Sequence, residues 1–242
     1  MKKLLVIPFA VLAGTAAADE FAYDLQFHRA QDTSNGFYTH KAAASFAYQM
    51  NYALTLQADT AITRFSDGSH NDNSMAVHAS YQITDVFRLG GYVGWEEFHY
   101  EADDYLSHGF EFEIMQENNS VTIFGGKNGN DGFPESDNVE FGATIRIEAT
   151  EDLTLVGRGL LRDNDVLELF TTVIGAGIEY EMPNGVTLNG ELVSWNRNDS
   201  GVAYDDGLSI SLGAKMTVGR GGILFPQRNS VTNTFGSVLK YP

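Results

Sequence analysis

From Gly207 to Val218, apolar and small polar residues alternate one for one. Leu208, Ile210, Leu212, Ala214, Met216 and Val218 share one parity, and Ser209, Ser211, Gly213, Lys215 and Thr217 share the other. Successive strand side chains point to opposite faces, so this pattern predicts a strand with one apolar and one polar face. A helix would scatter the same residues around its circumference. The alternation recurs along the chain. Its apolar parity includes Phe21 to Phe27, Ala42 to Tyr48, Tyr52 to Ile62, Met75 to Ile83, Phe87 to Trp95 and Leu106 to Ile114. It continues through Val121 and Ile123, Val139 to Ile147, Leu153 to Leu161, Phe170 to Tyr180 and Val186 to Leu192. With Gly207 to Val218, this makes about twelve strands.

The connections alternate in length. Short turns are predicted near residues 50, 85, 118, 151 and 184, the last carrying the strong turn sequence Pro183-Asn184-Gly185. Between them lie longer polar segments, read as loops over 29–40, 66–74, 101–105, 127–137, 163–166 and 198–206. Strands of about 9–11 residues cross a bilayer when tilted. An even set of such strands, with short turns at one end and long loops at the other, predicts a transmembrane barrel. The fold class is therefore all-β, a transmembrane antiparallel up-and-down β-barrel of about 12 strands, within about 10–14. The aromatic residues sort by height. Tyr48, Tyr52, Tyr81, Phe87 and Tyr180 lie near the short turns, and Trp95, Phe110, Phe141 and Phe170 lie toward the loops. Two interfacial girdles would place them so. A soluble β-sandwich also alternates and is the competing architecture, but it explains neither the turn asymmetry nor the girdles.

The N-terminus reads as a secretion signal over residues 1–18: Lys2 and Lys3, an apolar run from Leu4 to Leu12, and Ala16-Ala17-Ala18 before Asp19. The apolar run is too short for a membrane-spanning helix. Residues 19–218 are assigned to the barrel, and residues 219–242 to a C-terminal extension. That extension is read as a plug, a periplasmic tail or extra closing strands, with Gly219 to Gly222 and Pro226 weighing against strand pairing. With no cysteines, the chain has no disulfide framework, acylation site or thiolate metal site. Without Lys2 and Lys3 the charge balance is 13 basic against 32 acidic residues, a formal −19 (13 − 32). Such acidity argues against nucleic acid as a partner.

The alternation, the signal and segments such as Ile174-Gly-Ala-Gly-Ile-Glu-Tyr180 and Ser211-Leu-Gly-Ala-Lys215 resemble Gram-negative porins and porin-like outer-membrane proteins. The resemblance is one of pattern over most of the chain, and no diagnostic motif carries it. It implies an outer-membrane location and a channel for passive diffusion of small hydrophilic solutes or ions. It also implies outer-membrane lipid and lipopolysaccharide as surroundings, and barrel-assembly machinery and periplasmic chaperones as folding partners; self-association into a homo-oligomer is left open. General porins carry about 16–18 strands around an aqueous channel, so this barrel would be narrower. A non-conducting barrel with a structural or surface-interaction role is the alternative.

Nearly all the strand charge falls on the parity opposite the apolar one, as expected if that parity faces a lumen. The residues assigned to the lumen wall are Arg88, Glu96, Glu111, Glu113, Glu140, Arg146, Arg158, Arg162, Glu191 and Lys215. A hairpin turning near Glu151 sets Glu140 opposite Arg162 and Arg158 beside Thr144 and Arg146. Two arrangements follow. In one, Arg146 and Arg158, with Arg88 and Lys215, form a basic patch facing an acidic wall at Glu111 and Glu113, which would set ion selectivity. In the other, the charges pair and fill a narrow lumen.

Enzymatic signals are weak. His78-Ala79-Ser80 resembles the His-x-Ser arrangement of outer-membrane phospholipases, but both side chains have lumenal parity and no orienting residue is assigned. Gly125-Gly-Lys-Asn-Gly-Asn-Asp131 is a single copy of a calcium-repeat-like stretch and reads as loop chemistry. His28, His40, His70, His99 and His108 lack metal-ligand spacing, so neither catalysis nor a cofactor is expected. The acidic loops, Asp205-Asp206 among them, read as solvated surface, or as carboxylates bridged by divalent cations to lipopolysaccharide phosphates.

Overall fold

The computed structural model describes residues 21–33, 36–66, 71–98, 103–130, 133–164, 169–199 and 202–219. Residues 1–18, read as a secretion signal, and residues 220–242 of the extension lie outside them. The described chain forms twelve strands: β1 (Phe21–Asp32), β2 (Tyr38–Gln49), β3 (Leu54–Phe65), β4 (Asn71–Gln82), β5 (Phe87–Phe98) and β6 (Asp103–Gln116), then β7 (Asn119–Asn130), β8 (Phe133–Thr150), β9 (Leu153–Asn164), β10 (Leu169–Glu181), β11 (Val186–Asp199) and β12 (Val202–Gly219). Each strand pairs antiparallel with its sequence neighbours. β1 pairs with β12 from Ala22↔Gly219 to Asp32↔Ser209, so the barrel is closed. The twelve-strand, up-and-down reading holds.

Three of the short turns, near residues 50, 85 and 184, carry their own hydrogen bonding. Asn51 Oδ1 accepts from the amides of Ala53 and Leu54, each at 2.9 Å, and Thr84 Oγ1 accepts from Phe87 N at 3.1 Å. Short polar side chains close turns this way because they substitute for a backbone acceptor. At the Pro183-Asn184-Gly185 turn, Gly185 adopts φ 78°, a conformation that a Cβ would strain.

The opposite end differs from expectation. Residues 127–130 and 133–137, read as loop, belong to β7 and β8; residues 71–74 belong to β4, and residues 198–199 and 202–206 belong to β11 and β12. Arg29 to Asp32 and Tyr38 to His40, also read as loop, are likewise strand. In these stretches the sequence no longer alternates cleanly, but backbone pairing continues, as in Asn128↔Asn138 and Arg197↔Asp205.

The two faces have opposite chemistry. Ile174, Leu212 and Phe27 are each 63–64% exposed on the outside, within a continuous belt that includes Val77, Val93, Ile145 and Ile178. Soluble monomers rarely expose contiguous apolar patches beyond a few hundred Å². Tyr52, Tyr81, Phe87 and Tyr180 are exposed near the short turns, and Phe110, Phe141 and Phe170 toward the other rim. The inward face buries Asp24, Asp59, Gln57, His78, Glu96, Glu111 and Arg162. The chain is a membrane-spanning β-barrel, with lipid against the belt.

Ile174→Arg places a charge on this belt and should destabilise the barrel by about 2–4 kcal/mol. Glu151→Arg, in an exposed turn, should stay within about 0.5 kcal/mol. Urea unfolding in lipid vesicles measures both, and equal effects would contradict the assignment of the faces.

Candidate functional site in the barrel interior

Inward-facing residues come from every second position, so the site is built by register. β4 presents His78, β3 presents Gln57 and Asp59, and β6 presents Glu111. His78 Nδ1 lies 2.8 Å from Glu111 Oε2, and Nε2 lies 2.9 Å from Asp59 Oδ2, an ion-pair distance off hydrogen-bond alignment. Gln57 Nε2 donates to Asp59 Oδ1 at 3.0 Å. The His78 and Glu111 residues are 1% and 0% exposed. One imidazole therefore ties β3 to β6 across β4 and β5. Tyr92 of β5 packs beside it, with ring centroids 5.8 Å apart. The phenol lies over Gly109 and Gly126, where a Cβ would collide with it.

Arginines and carboxylates are matched around the rest of the wall. Arg88 donates from Nη1 to Glu113 at 2.7 Å and from Nη2 to Gln82 at 2.8 Å. Arg162 Nε donates to Glu140 Oε1 at 2.8 Å, and Asn128 Nδ2 donates to the same oxygen at 2.8 Å. Arg146 pairs with Glu179. Arg158 Nε stands 3.4 Å from Glu191 Oε1 without hydrogen-bond alignment, and Glu191 reaches across β10 over Gly175. Lys215 faces inward between Gln26 and Thr187 in register, and Glu96 is buried on β5. All ten assigned residues thus occupy the inward parity.

The expected opposition of Glu140 with Arg162, and of Thr144 with Arg158, is present in the register. The arginines do not form one separate basic patch. Arg88 is bound to Glu113 of the supposed acidic wall, and Arg146 to Glu179, which the sequence reading did not single out although its parity matches Gly175 and Gly177. The arrangement with paired charges is the one present. Paired charges inside a narrow barrel avoid the several kcal/mol that an isolated buried ion costs.

The sequence reading also missed an inward apolar row. Phe124, Gly142, Leu160, Val173, Trp195 and Gly207 pair in turn across β7 to β12. Val193 joins the large members of this row in one buried cluster. Gly142 lies under the Phe124 ring and Gly207 under the Trp195 indole, with no space for a Cβ at either. Large rings on glycine beds fill a concave wall without voids. Trp195 Nε1 has no hydrogen-bond partner among the described residues. Among those residues, no group of three or more His, Asp or Glu side chains is arranged to hold a metal ion.

No family model and no curated protein matches this chain. Solved structures do. A structure titled "NanC porin" aligns with a TM-score of 0.66 at 10% identity, covering 79% of this chain and 98% of its own. A "KdgM porin" aligns with a TM-score of 0.57 at 10% identity, covering 80% and 98%. An outer-membrane channel from Pseudomonas putida F1 aligns with a TM-score of 0.56 at 13% identity, covering 82% and 95%. At these identities the likeness is one of fold, which is that of outer-membrane porins and channels.

Two substitutions test the packing of this interior. Glu111→Ala removes one side of a fully buried ionic contact and should cost about 3–5 kcal/mol in urea unfolding. Gly142→Ala forces Phe124 off its bed and should cost about 1–3 kcal/mol. Gly159→Ala, on the outward parity with nothing near its Cβ, should be neutral or stabilising by up to about 1 kcal/mol. A Gly142→Ala variant as stable as Gly159→Ala would contradict the placement of Phe124.

Proposed function

We propose that this protein is a porin-like channel for passive diffusion of small hydrophilic solutes or ions across the outer membrane. The observation that carries the reading is the sorting of a closed barrel into an apolar outer belt and an inward face rich in charge. A polar lumen spares a hydrated solute the cost of entering hydrocarbon, and fixed charges in low-dielectric walls bias which ions enter. The fold shared with the NanC and KdgM porins supports it. Arg88, Glu96, Glu111, Glu113, Glu140, Arg146, Arg158, Arg162, Glu191 and Lys215 line the pathway. Lipid and lipopolysaccharide surround the barrel, and barrel-assembly machinery with periplasmic chaperones delivers it.

The interior charge sets a preference. Arg88, Arg146, Arg158 and Arg162 are each matched by a carboxylate. Asp59 and Glu111 share the single imidazole of His78, and Asp24, Asp32, Asp72 and Glu96 are buried besides. Among the described residues, the remaining inward bases are Lys41, Arg197 and Lys215, so carboxylates outnumber bases there. Carboxylates are in excess, which favours cations. One KdgM structure is a complex with oligogalacturonate, a polyanion. The carboxylate excess here argues against carrying that solute over to this chain.

A second reading, the non-conducting structural barrel, draws on the near-complete burial of His78, Glu111, Val173 and Ser209, which marks a lumen filled at their level. A hydrolase role is not proposed. Both His78 ring nitrogens face carboxylates, so neither is placed to take a proton from Ser80.

Planar-bilayer recording of folded protein should give ohmic steps with potassium preferred over chloride at low salt. Arg158→Glu should increase that preference. Chloride preference would refute the charge argument. Silence from both the full chain and a folded chain ending at Gly219 would favour the structural barrel.

A further inference from the structure

We propose that Arg29, His40 and Arg64 form a docking site on the outer wall of the barrel for the phosphate groups of an outer-leaflet glycolipid. The three residues are adjacent in register, Arg29↔His40 on β1 and β2 and His40↔Arg64 on β2 and β3. All three are exposed and have outward parity. Neighbouring strands lie about 4.8 Å apart, so the two arginine backbones are about 10 Å apart. Their long side chains can therefore meet at one phosphorylated headgroup. Arginine suits that ligand because its planar fork of N–H donors matches phosphate oxygens.

The row is held and it is unopposed. The Arg29 guanidinium lies over the Tyr38 ring, with Cζ 4.7 Å from the centroid, and the His40 ring meets the same ring edge-on at 5.4 Å. Stacking orders the guanidinium and leaves its edge donors open. The acidic residues of β1 to β3 are Asp24, Asp32 and Asp59, and all three are buried on the inward face. Among the described residues, neither Arg29 nor Arg64 is paired with a carboxylate. In a chain with 32 acidic and 15 basic residues, a face of three strands carrying bases alone is a marked local reversal of charge.

Height identifies the occupant. The next outward row toward the membrane is Phe27, Ala42 and Ile62, with Phe27 63% and Ile62 53% exposed in the lipid belt. The bases thus stand one step above hydrocarbon, at the level of headgroups. Among the described residues, the outward Arg and Lys are Arg29, Arg64 and Lys127, and each lies toward the rim away from the short turns. The short-turn rim exposes Asp85, Glu117, Glu151 and Asp152 instead. Short turns face the periplasm and the other rim faces outward. The phosphate carriers at that outer level are lipopolysaccharide headgroups, whose acyl chains would lie against the belt below. A free phosphate would have no use for the apolar row. The proposal needs the barrel in its membrane but not an open lumen, so it and the channel reading fail independently.

The test measures binding of purified lipid A, the phosphorylated anchor of lipopolysaccharide, to the folded full chain in detergent micelles by native mass spectrometry. A heat-dependent gel shift shows folding. Arg29→Gln combined with Arg64→Gln should weaken lipid A binding by about thirtyfold, at about fivefold per arginine. If the pair does not fold, each single variant should show its own fivefold loss. Lys127→Gln, on β7, should change binding by less than about twofold. Dephosphorylated lipid A should bind the parent and the paired variant alike, and excess inorganic phosphate should not displace lipid A. Unchanged lipid A binding by the arginine variants would overturn the proposal. An equal loss from Lys127→Gln would do so too, since it would reduce the site to general charge attraction. Displacement by inorganic phosphate would overturn the glycolipid as occupant. Ohmic conductance with no arginine-dependent lipid A binding would leave the channel reading standing without this site.

Discussion

The pairing of β1 with β12 is the interaction on which everything else in this structure depends. Hydrocarbon offers no water to an unpaired amide or carbonyl, and each unsatisfied group costs several kcal/mol. An open sheet of these twelve strands would expose two such edges. Register from Ala22↔Gly219 to Asp32↔Ser209 removes both. Once the sheet closes, strand periodicity divides every strand between two solvents. One parity meets lipid and the other meets the interior, and a slip of one residue would exchange them.

The interior then has to accommodate what the outside cannot. Arg88, Arg146, Arg158 and Arg162 are held by carboxylates on neighbouring or next-neighbouring strands, and His78 joins two carboxylates three strands apart. Glycines let these groups reach. Glu191 crosses β10 over Gly175, and the Tyr92 phenol lies over Gly109 and Gly126. The same device seats Phe124 and Trp195. The wall is thus a mosaic of ion pairs and one apolar row. On the proposed channel reading, a solute would meet fixed and mostly compensated charge.

Much of this architecture was legible in the alternation. The 207–218 stretch, the turns near 50, 85, 118, 151 and 184 and the lumenal parity of the charged residues were readable because the bilayer imposes a period of two. Strand ends were less so. Residues 127–137 look like a Gly/Asn/Asp loop because their sequence carries no alternation, although 127–130 and 133–137 belong to strands. The inward apolar residues were hidden for another reason. Leu153 to Leu161 carries apolar groups on both parities, and hydropathy alone cannot say that Val156 and Leu160 turn away from lipid. Partners were also hidden: the register placed Glu140 opposite Arg162, but Glu179 on Arg146 and Glu111 on His78 skip a strand, which no local spacing reveals.

The central claim is that successive residues of each strand face different media. A cysteine scan along β10, from Thr171 to Glu179, tests it most directly, because the chain contains no other cysteine. Each single cysteine is labelled with a small fluorophore and the folded protein is placed in vesicles of brominated lipid. Quenching should be strong at 172, 174, 176 and 178 and weak at 171, 173, 175, 177 and 179. Quenching that is uniform, or of the opposite parity, would contradict the account.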